Sequence, residues 1–127
     1  MKITCGTDII EIDRVKESIE ELGEKFIERV FTDKEIEYCE SRKGQKYQHY
    51  AGRFAAKEAA FKAISKILDN KYSVCWKDFE IIDDEQGRPY LNLYNVNTKD
   101  IESIDISISH CKLYATANVV ILFNDYN

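Results

Sequence analysis

The segment "AGRFAAKEAAFKAI", residues 51 to 64, constrains this chain more than any other stretch. Projected at 100° per residue, Ala56, Ala59, Ala60, Phe61, Ala63, Ile64, Ile67 and Leu68 cover more than half of a helix circumference. Such a helix, predicted from about Tyr47 to Leu68, has small side chains toward most of its neighbours and must be wrapped by other elements. Four ionisable groups nonetheless run through it. Glu58, Lys62, Ser65 and Lys66 gather in the remaining polar sector, whereas Arg53 and Lys57 fall among the alanines. Two cations on a packing face must snorkel to an edge or bind something. Glu58 and Lys62 stand at i and i+4 with the acid first, the favoured order for a helix ion pair, worth a few tenths of a kcal/mol.

The elements that wrap this helix can be read on either side. "KITCGTDIIEI" (2 to 12) is predicted as a first strand. Helical spacing follows, with Val15, Ile19, Leu22, Phe26, Ile27 and Val30 forming an apolar stripe that Gly23 interrupts. Thr32 with Glu35 three residues on is a capping-box pattern that opens a short helix through Cys39. Downstream, two strands meet at a turn centred on Gly87, the second starting near Pro89. "SIDISISH" then places Ile104, Ile106 and Ile108 inward and turns tightly at Cys111 and Lys112 into "LYATANVVILF". The fold class is therefore α+β: an antiparallel sheet packed against a long central helix and shorter helices. At 127 residues the chain is expected to form one domain, 1–127, whose clefts are shallow enough for a neighbouring subunit to complete them.

Charge and cysteine usage narrow the function. The net charge of −5 argues against general nucleic-acid binding. Residues 42 to 71, however, hold eight basic residues against Glu58 and Asp69, a surplus of six, which leaves −11 on the rest. A basic island on an acidic chain fits either a solvated helix face or a localised polyanion such as a nucleotide pyrophosphate. Cys5, Cys39, Cys75 and Cys111 lie more than thirty residues apart without a CxxC pair, so neither structural zinc nor a disulfide framework is expected. No apolar run approaches the ~18 residues of a membrane span. A soluble, cytoplasmic protein with free thiols is the expectation.

A second carboxylate sits in "GTDIIEI". Asp8 follows a glycine that lets the strand come close to another segment or a ligand, and it precedes two isoleucines. A buried charge there needs a partner, either a backbone turn or a metal. Two carboxylates with few other ligands suit Mg²⁺, which keeps waters and takes further oxygens from substrate phosphates.

Taken together, "GTDIIEIDRV", "GRFAAKEAAFKAI" and "DISISH" with "YATA" resemble the three signatures of the holo-[acyl-carrier-protein] synthase family, the small bacterial type of 4′-phosphopantetheinyl transferase. Their order and spacing span nearly the whole chain. The resemblance implies transfer of 4′-phosphopantetheine from coenzyme A to a serine of apo-acyl carrier protein, as in fatty acid biosynthesis, releasing adenosine 3′,5′-bisphosphate. It implies that Asp8 and Glu58 hold Mg²⁺ and, with Lys62, form the catalytic set. Lys62 would meet the phosphates, an electrostatic role, or help take the serine proton, and a metal-bound water or Glu58 itself is the other candidate base. Arg53, Lys57, Lys62, Ser65 and His110 would bind coenzyme A. Arg14, on the helix that docks the carrier, would contact the carrier protein. The family is typically a homotrimer with sites between subunits.

Two segments depart from the family pattern. After "KEAAFKAI" the usual glycine-containing loop is replaced by "SKILDNKYSVCW", which leaves Ser65, Lys66, Asn70 and Lys71 to contact the nucleotide. The first helical segment mixes Arg14, Lys16, Lys25 and Arg29 with five glutamates, which weakens electrostatic steering of an acidic carrier. The competing readings are a coenzyme A or carrier-binding module of the same fold without turnover, and a Mg²⁺-dependent nucleotide hydrolase. The hydrolase reading lacks a P-loop.

Overall fold

The computed structural model describes residues 1–68, 70 and 72–124, with Lys66 by its backbone alone. The elements run in the order β1 (Lys2–Glu11), α1 (Ile12–Leu22), α2 (Glu24–Val30), α3 (Asp33–Ser41), α4 (Lys46–Ile64), β2 (Phe79–Asp83), β3 (Pro89–Leu93), β4 (Ile101–His110) and β5 (Tyr114–Phe123). Gly23, at φ 61°, adopts a backbone that side chains disfavour and breaks the helical stretch after β1 into α1 and α2. The capping box at the start of α3 is complete. Thr32 accepts from the Glu35 amide at 3.4 Å, and the Glu35 carboxylate accepts from the Thr32 amide at 2.9 Å.

Two antiparallel sheets flank α4. One has the order β1-β5-β4, and the other is the β2-β3 hairpin that turns at Gly87. The predicted hairpin between β4 and β5 is present, with the Cys111 amide donating to the Tyr114 carbonyl at 2.9 Å. Helix α4 lies between two apolar layers. Ala56, Ala59, Ala60 and Ala63 meet Val119, Ile121 and Ile106 of the sheet, while Tyr50 and Ala51 meet Val15, Ile19 and Phe31 of the helical layer.

Helix α4 is shorter than its periodicity predicts. It ends at Ile64 and tightens into a 3-10 turn, Ser65–Ile67. The Ser65 hydroxyl donates to the Lys62 carbonyl at 3.0 Å, a local bond that competes with the helical ladder at its end.

The alanines on α4 let β1 approach at backbone distance. A Cβ on Gly6 would stand 1.9 Å from the Ala59 carbonyl oxygen, so glycine is required there. Next to it, the Thr4 hydroxyl donates to the Ala63 carbonyl at 2.7 Å. Thr4, Gly6, Asp8 and Ile10 share the face of β1 turned to α4, because side chains alternate along a strand. The opposite face carries Ile3, Cys5, Thr7 and Ile9, all exposed.

Candidate active site

The Gly6 contact sets the height at which Asp8 meets α4. Asp8 pairs with Ala117 in register, and its carbonyl accepts the Thr116 hydroxyl at 2.8 Å, which fixes the strand at this residue. Lys62 reaches from α4 to β1: its ammonium donates to the Thr7 carbonyl at 2.9 Å and to Asp8 Oδ1 at 3.3 Å. The cation expected to serve Glu58 along the helix is thus bonded across to the strand. Glu58 is half-buried, and its carboxyl is held above the usual range by burial first and by the Asp8 charge second, with Lys62 opposing. Asp8 on β1 and the Glu58–Lys62 pair on α4, distant in sequence, form one electrostatic group.

Two clefts meet at this group. The smaller, about 350 Å³, is bordered by Asp8, Glu58, Arg14, Phe54 and Tyr114. The larger, about 600 Å³, is bordered by Glu58, Arg29, Phe61, Val74 and Trp76. Glu58 lines both. Arg14 is exposed at the rim beside Asp8, where an incoming macromolecule can touch it.

Lys57, which the resemblance assigns to coenzyme A, borders the larger cleft but is engaged inside the protein. Its ammonium donates to Glu35 at 2.7 Å, to the Trp76 carbonyl at 3.1 Å and to the Phe79 carbonyl. A lysine has three donors, and all of Lys57's are used inside the protein. Neither Lys57 nor Glu35 is exposed, and Glu35 also accepts the Thr32 and Ile81 amides at 2.9 Å. Burial pulls the Lys57 ammonium below its ordinary range against the opposing charge of Glu35. The Lys57 ammonium therefore has no donor left for a phosphate; it ties α4 to α3 and to the start of β2.

Arg53 and His110 meet elsewhere. Arg53 is 4% exposed; its guanidinium lies 4.1 Å from the centre of the Tyr38 ring and 3.7 Å from Asp83. His110, exposed at the end of β4, stands 6.1 Å from the His49 ring. Neither Arg53 nor His110 borders the clefts that flank Glu58. Tyr38, His49 and Asp83 carried no motif; only the spacing of His49, one turn before Arg53, could have singled it out. Ser65 spends its hydroxyl on the Lys62 carbonyl, and Asn70 Oδ1 accepts the Tyr72 amide at 2.8 Å. The Lys66 side chain and Lys71, also expected near the nucleotide, lie outside the described residues.

The donor set at Asp8 and Glu58 fits a hard dication that keeps most of its shell. Two carboxylates repel one another across the smaller cleft, and among the described residues no third His, Cys, Asp or Glu joins them. Such a pair leaves coordination positions for water and phosphate oxygens.

A family model described as the 4′-phosphopantetheinyl transferase superfamily matches residues 4–121. The chain belongs to this superfamily. Among phosphopantetheinyl transferases it is 47% identical to the holo-[acyl-carrier-protein] synthase of Ruminiclostridium cellulolyticum, over 98% of this chain and 96% of that one. It is 43% identical to that of Protochlamydia amoebophila, over 94% and 98% respectively. Its fold superimposes on a Chronobacterium ammoniagenes synthase in complex with coenzyme A at TM-score 0.81, with 29% identity, covering 98% of this chain and 100% of that one. For the Helicobacter pylori synthase in complex with coenzyme A the TM-score is 0.80 and the identity 31%, covering 93% and 99%. The α+β architecture predicted from the sequence is that of the superfamily.

Proposed function

We propose that this protein is a holo-[acyl-carrier-protein] synthase, transferring 4′-phosphopantetheine from coenzyme A to a serine of apo-acyl carrier protein. The observation that carries this reading is the convergence of Asp8 and Glu58 on one cleft, with Lys62 bonded to Asp8, in a chain of this superfamily. The serine hydroxyl gives up its proton to a base (Glu58, Lys62 or a water), its oxygen forms a bond to the phosphorus that bears pantetheine, the bridging P–O bond breaks, and adenosine 3′,5′-bisphosphate leaves with the electron pair. Reactions of this type need positioning and charge stabilisation above all. Asp8 and Glu58 would hold Mg²⁺, which when bound neutralises charge on the pyrophosphate. The exposed ammonium of Lys62 supplies positive charge to the same phosphates. Phe54 and Tyr114 wall the cleft with apolar surface and limit water around the serine. Arg14, at the rim, meets the carrier protein.

The working form is a homotrimer with sites between subunits. Two features support it. The outer face of the three-stranded sheet leaves Ile3 and Ile9 67% and 66% exposed, with Val120 beside them, as an uncovered apolar surface. The Arg53–His110 cluster borders neither cleft at Glu58, so a nucleotide reaching both would draw them from two copies. Coenzyme A is the donor, fatty acid biosynthesis the setting, and the cytoplasm the place. No helix among the described residues is long and apolar enough to cross a membrane.

Incubation with coenzyme A, Mg²⁺ and apo-acyl carrier protein tests the proposal by mass spectrometry. The expected result is a gain of one phosphopantetheine on the carrier's serine. Coenzyme A binding without any gain on cognate carriers would favour the non-catalytic module instead.

A further inference from the structure

The cluster around Arg53 contains a second imidazole. His49 precedes Arg53 by one turn of α4, so the two project from the same side of the helix. The His49 ring meets the Tyr38 ring edge-on at 5.3 Å and the His110 ring at 6.1 Å. Tyr38 also carries two guanidiniums, Arg53 at 4.1 Å and Arg42 at 5.0 Å from its ring centre. Burial first and the neighbouring Asp83 second raise the pKa of its hydroxyl, and Asp83 pairs with Arg53 at 3.7 Å. Two guanidiniums thus face one carboxylate, and the buried Arg53 Nε has no hydrogen-bond partner among the described residues. A buried donor of this kind in a cationic surround is short of an anion.

We infer that His49 is a further anion-binding residue of this cluster, one that takes up a proton when a phosphate monoester dianion enters. The inference rests on the reading that the cluster receives the 3′-phosphate of coenzyme A. The groups facing His49 come from every surrounding element: Tyr38 on α3, Arg42 just after it, Arg53 on α4, Asp83 on β2 and His110 on β4. Burial first, then Arg53, His110 and Arg42, hold the His49 imidazole below its ordinary pKa, and Asp83 alone opposes them. These neighbours therefore favour the neutral ring near neutral pH. A dianion reverses that balance, and the imidazolium it favours can donate from both ring nitrogens.

The bound-state pKa of His49 lies above the free-state value, so affinity rises as pH falls between them and levels off below the free-state value. A phosphate monoester takes its own proton near pH ~6, so the window for observation is about pH 6.5 to 8.

Calorimetric titration in two buffers of different ionisation enthalpy measures this proton directly. The probes are adenosine 3′,5′-bisphosphate and adenosine 5′-monophosphate, which differ by the phosphate in question. The wild-type protein should take up a fraction of a proton with the bisphosphate only. His49→Gln, and His49→Phe, which keeps a ring against Tyr38, should both lose that uptake and bind the bisphosphate about tenfold more weakly, as expected for a lost bond to a charged group. Binding of the monophosphate should not change, whereas a merely structural His49 would weaken both ligands alike. Undiminished uptake in both His49 variants overturns the inference. If Arg53→Lys or His110→Gln still lowers the preference for the bisphosphate in that case, the 3′-phosphate reading stands without His49. If neither variant alters the preference, the cluster is not the phosphate site and both readings fall.

Discussion

The Lys57 ammonium and the Glu35 carboxylate form an ion pair of 2.7 Å from which solvent is wholly excluded. Each partner is saturated: Lys57 by two backbone carbonyls, Glu35 by two backbone amides. A pair of this kind adds little net stability over apolar residues of the same volume, yet removing one member strands a charge and costs about 3–5 kcal/mol. Lys57→Ala and Glu35→Ala should each lower the stability of the protein by that order. Lys57→Met with Glu35→Leu together should cost less than the sum of the single Lys57→Met and Glu35→Leu changes. Urea denaturation of the cycle checks this, and additive losses would count against the pair as a unit.

Gly6 and Ala59 impose a second, purely steric, requirement. The atom that a Gly6 side chain would strike is backbone, which no rotamer change can move away. Gly6→Ala should therefore displace β1 from α4, lower thermal stability by several degrees and reduce activity, because Asp8 is placed by the same contact. Gly44→Ala, where nothing lies within 4 Å of the added carbon, is the matched control and should be nearly silent. Equal Tm values for the two variants would show that the strand does not set the site.

Lys62 is bonded to the strand at rest and is half exposed, so it can turn to a phosphate without breaking the core. Lys62→Ala should lower kcat by one to two orders of magnitude, about 1.4–2.8 kcal/mol, with a smaller rise in the KM for coenzyme A. Steady-state kinetics decides this. A change confined to KM would mean that the ammonium holds the ground state only.

Much of this arrangement was legible in the sequence where one residue type answers one local demand. The alanines predicted a wrapped helix, Gly6 a close approach, Thr32 and Glu35 a capping box, and the separation of Asp8 from Glu58 was bridged by the resemblance of their motifs. What escaped depends on partners distant in the chain. Glu35 was legible as a cap, but its second duty to Lys57 needs the distance across two helices, which no periodicity encodes. The same holds for Arg53: its place on the apolar face was visible, whereas Tyr38 and Asp83, which receive its guanidinium, carry no mark until the chain is folded. The early end of α4 coincides with a local bond from the Ser65 hydroxyl to the Lys62 carbonyl, a detail that helical periodicity does not encode.

Glu58 links function to stability with a definite sign. Burial and the Asp8 charge raise its folded-state pKa above the unfolded value, so the folded protein holds this proton more tightly than the unfolded chain. The stability this contributes is present below the unfolded pKa, about 4.3, and is lost as pH rises through the folded value. At neutral pH in the absence of divalent cations an ionised Glu58 is therefore a net cost to the fold. Glu58→Gln should raise the Tm of the metal-free protein at pH 7, with the gain shrinking to nothing under acid conditions where both forms are neutral. The same variant, like Asp8→Asn, should abolish transfer and weaken Mg²⁺ binding in a metal titration while leaving circular dichroism unchanged. A Glu58→Gln protein that is less stable at every pH would show that the carboxylate is a structural hydrogen-bonding group. An unchanged Mg²⁺ dependence in both variants would remove the two carboxylates from the metal site.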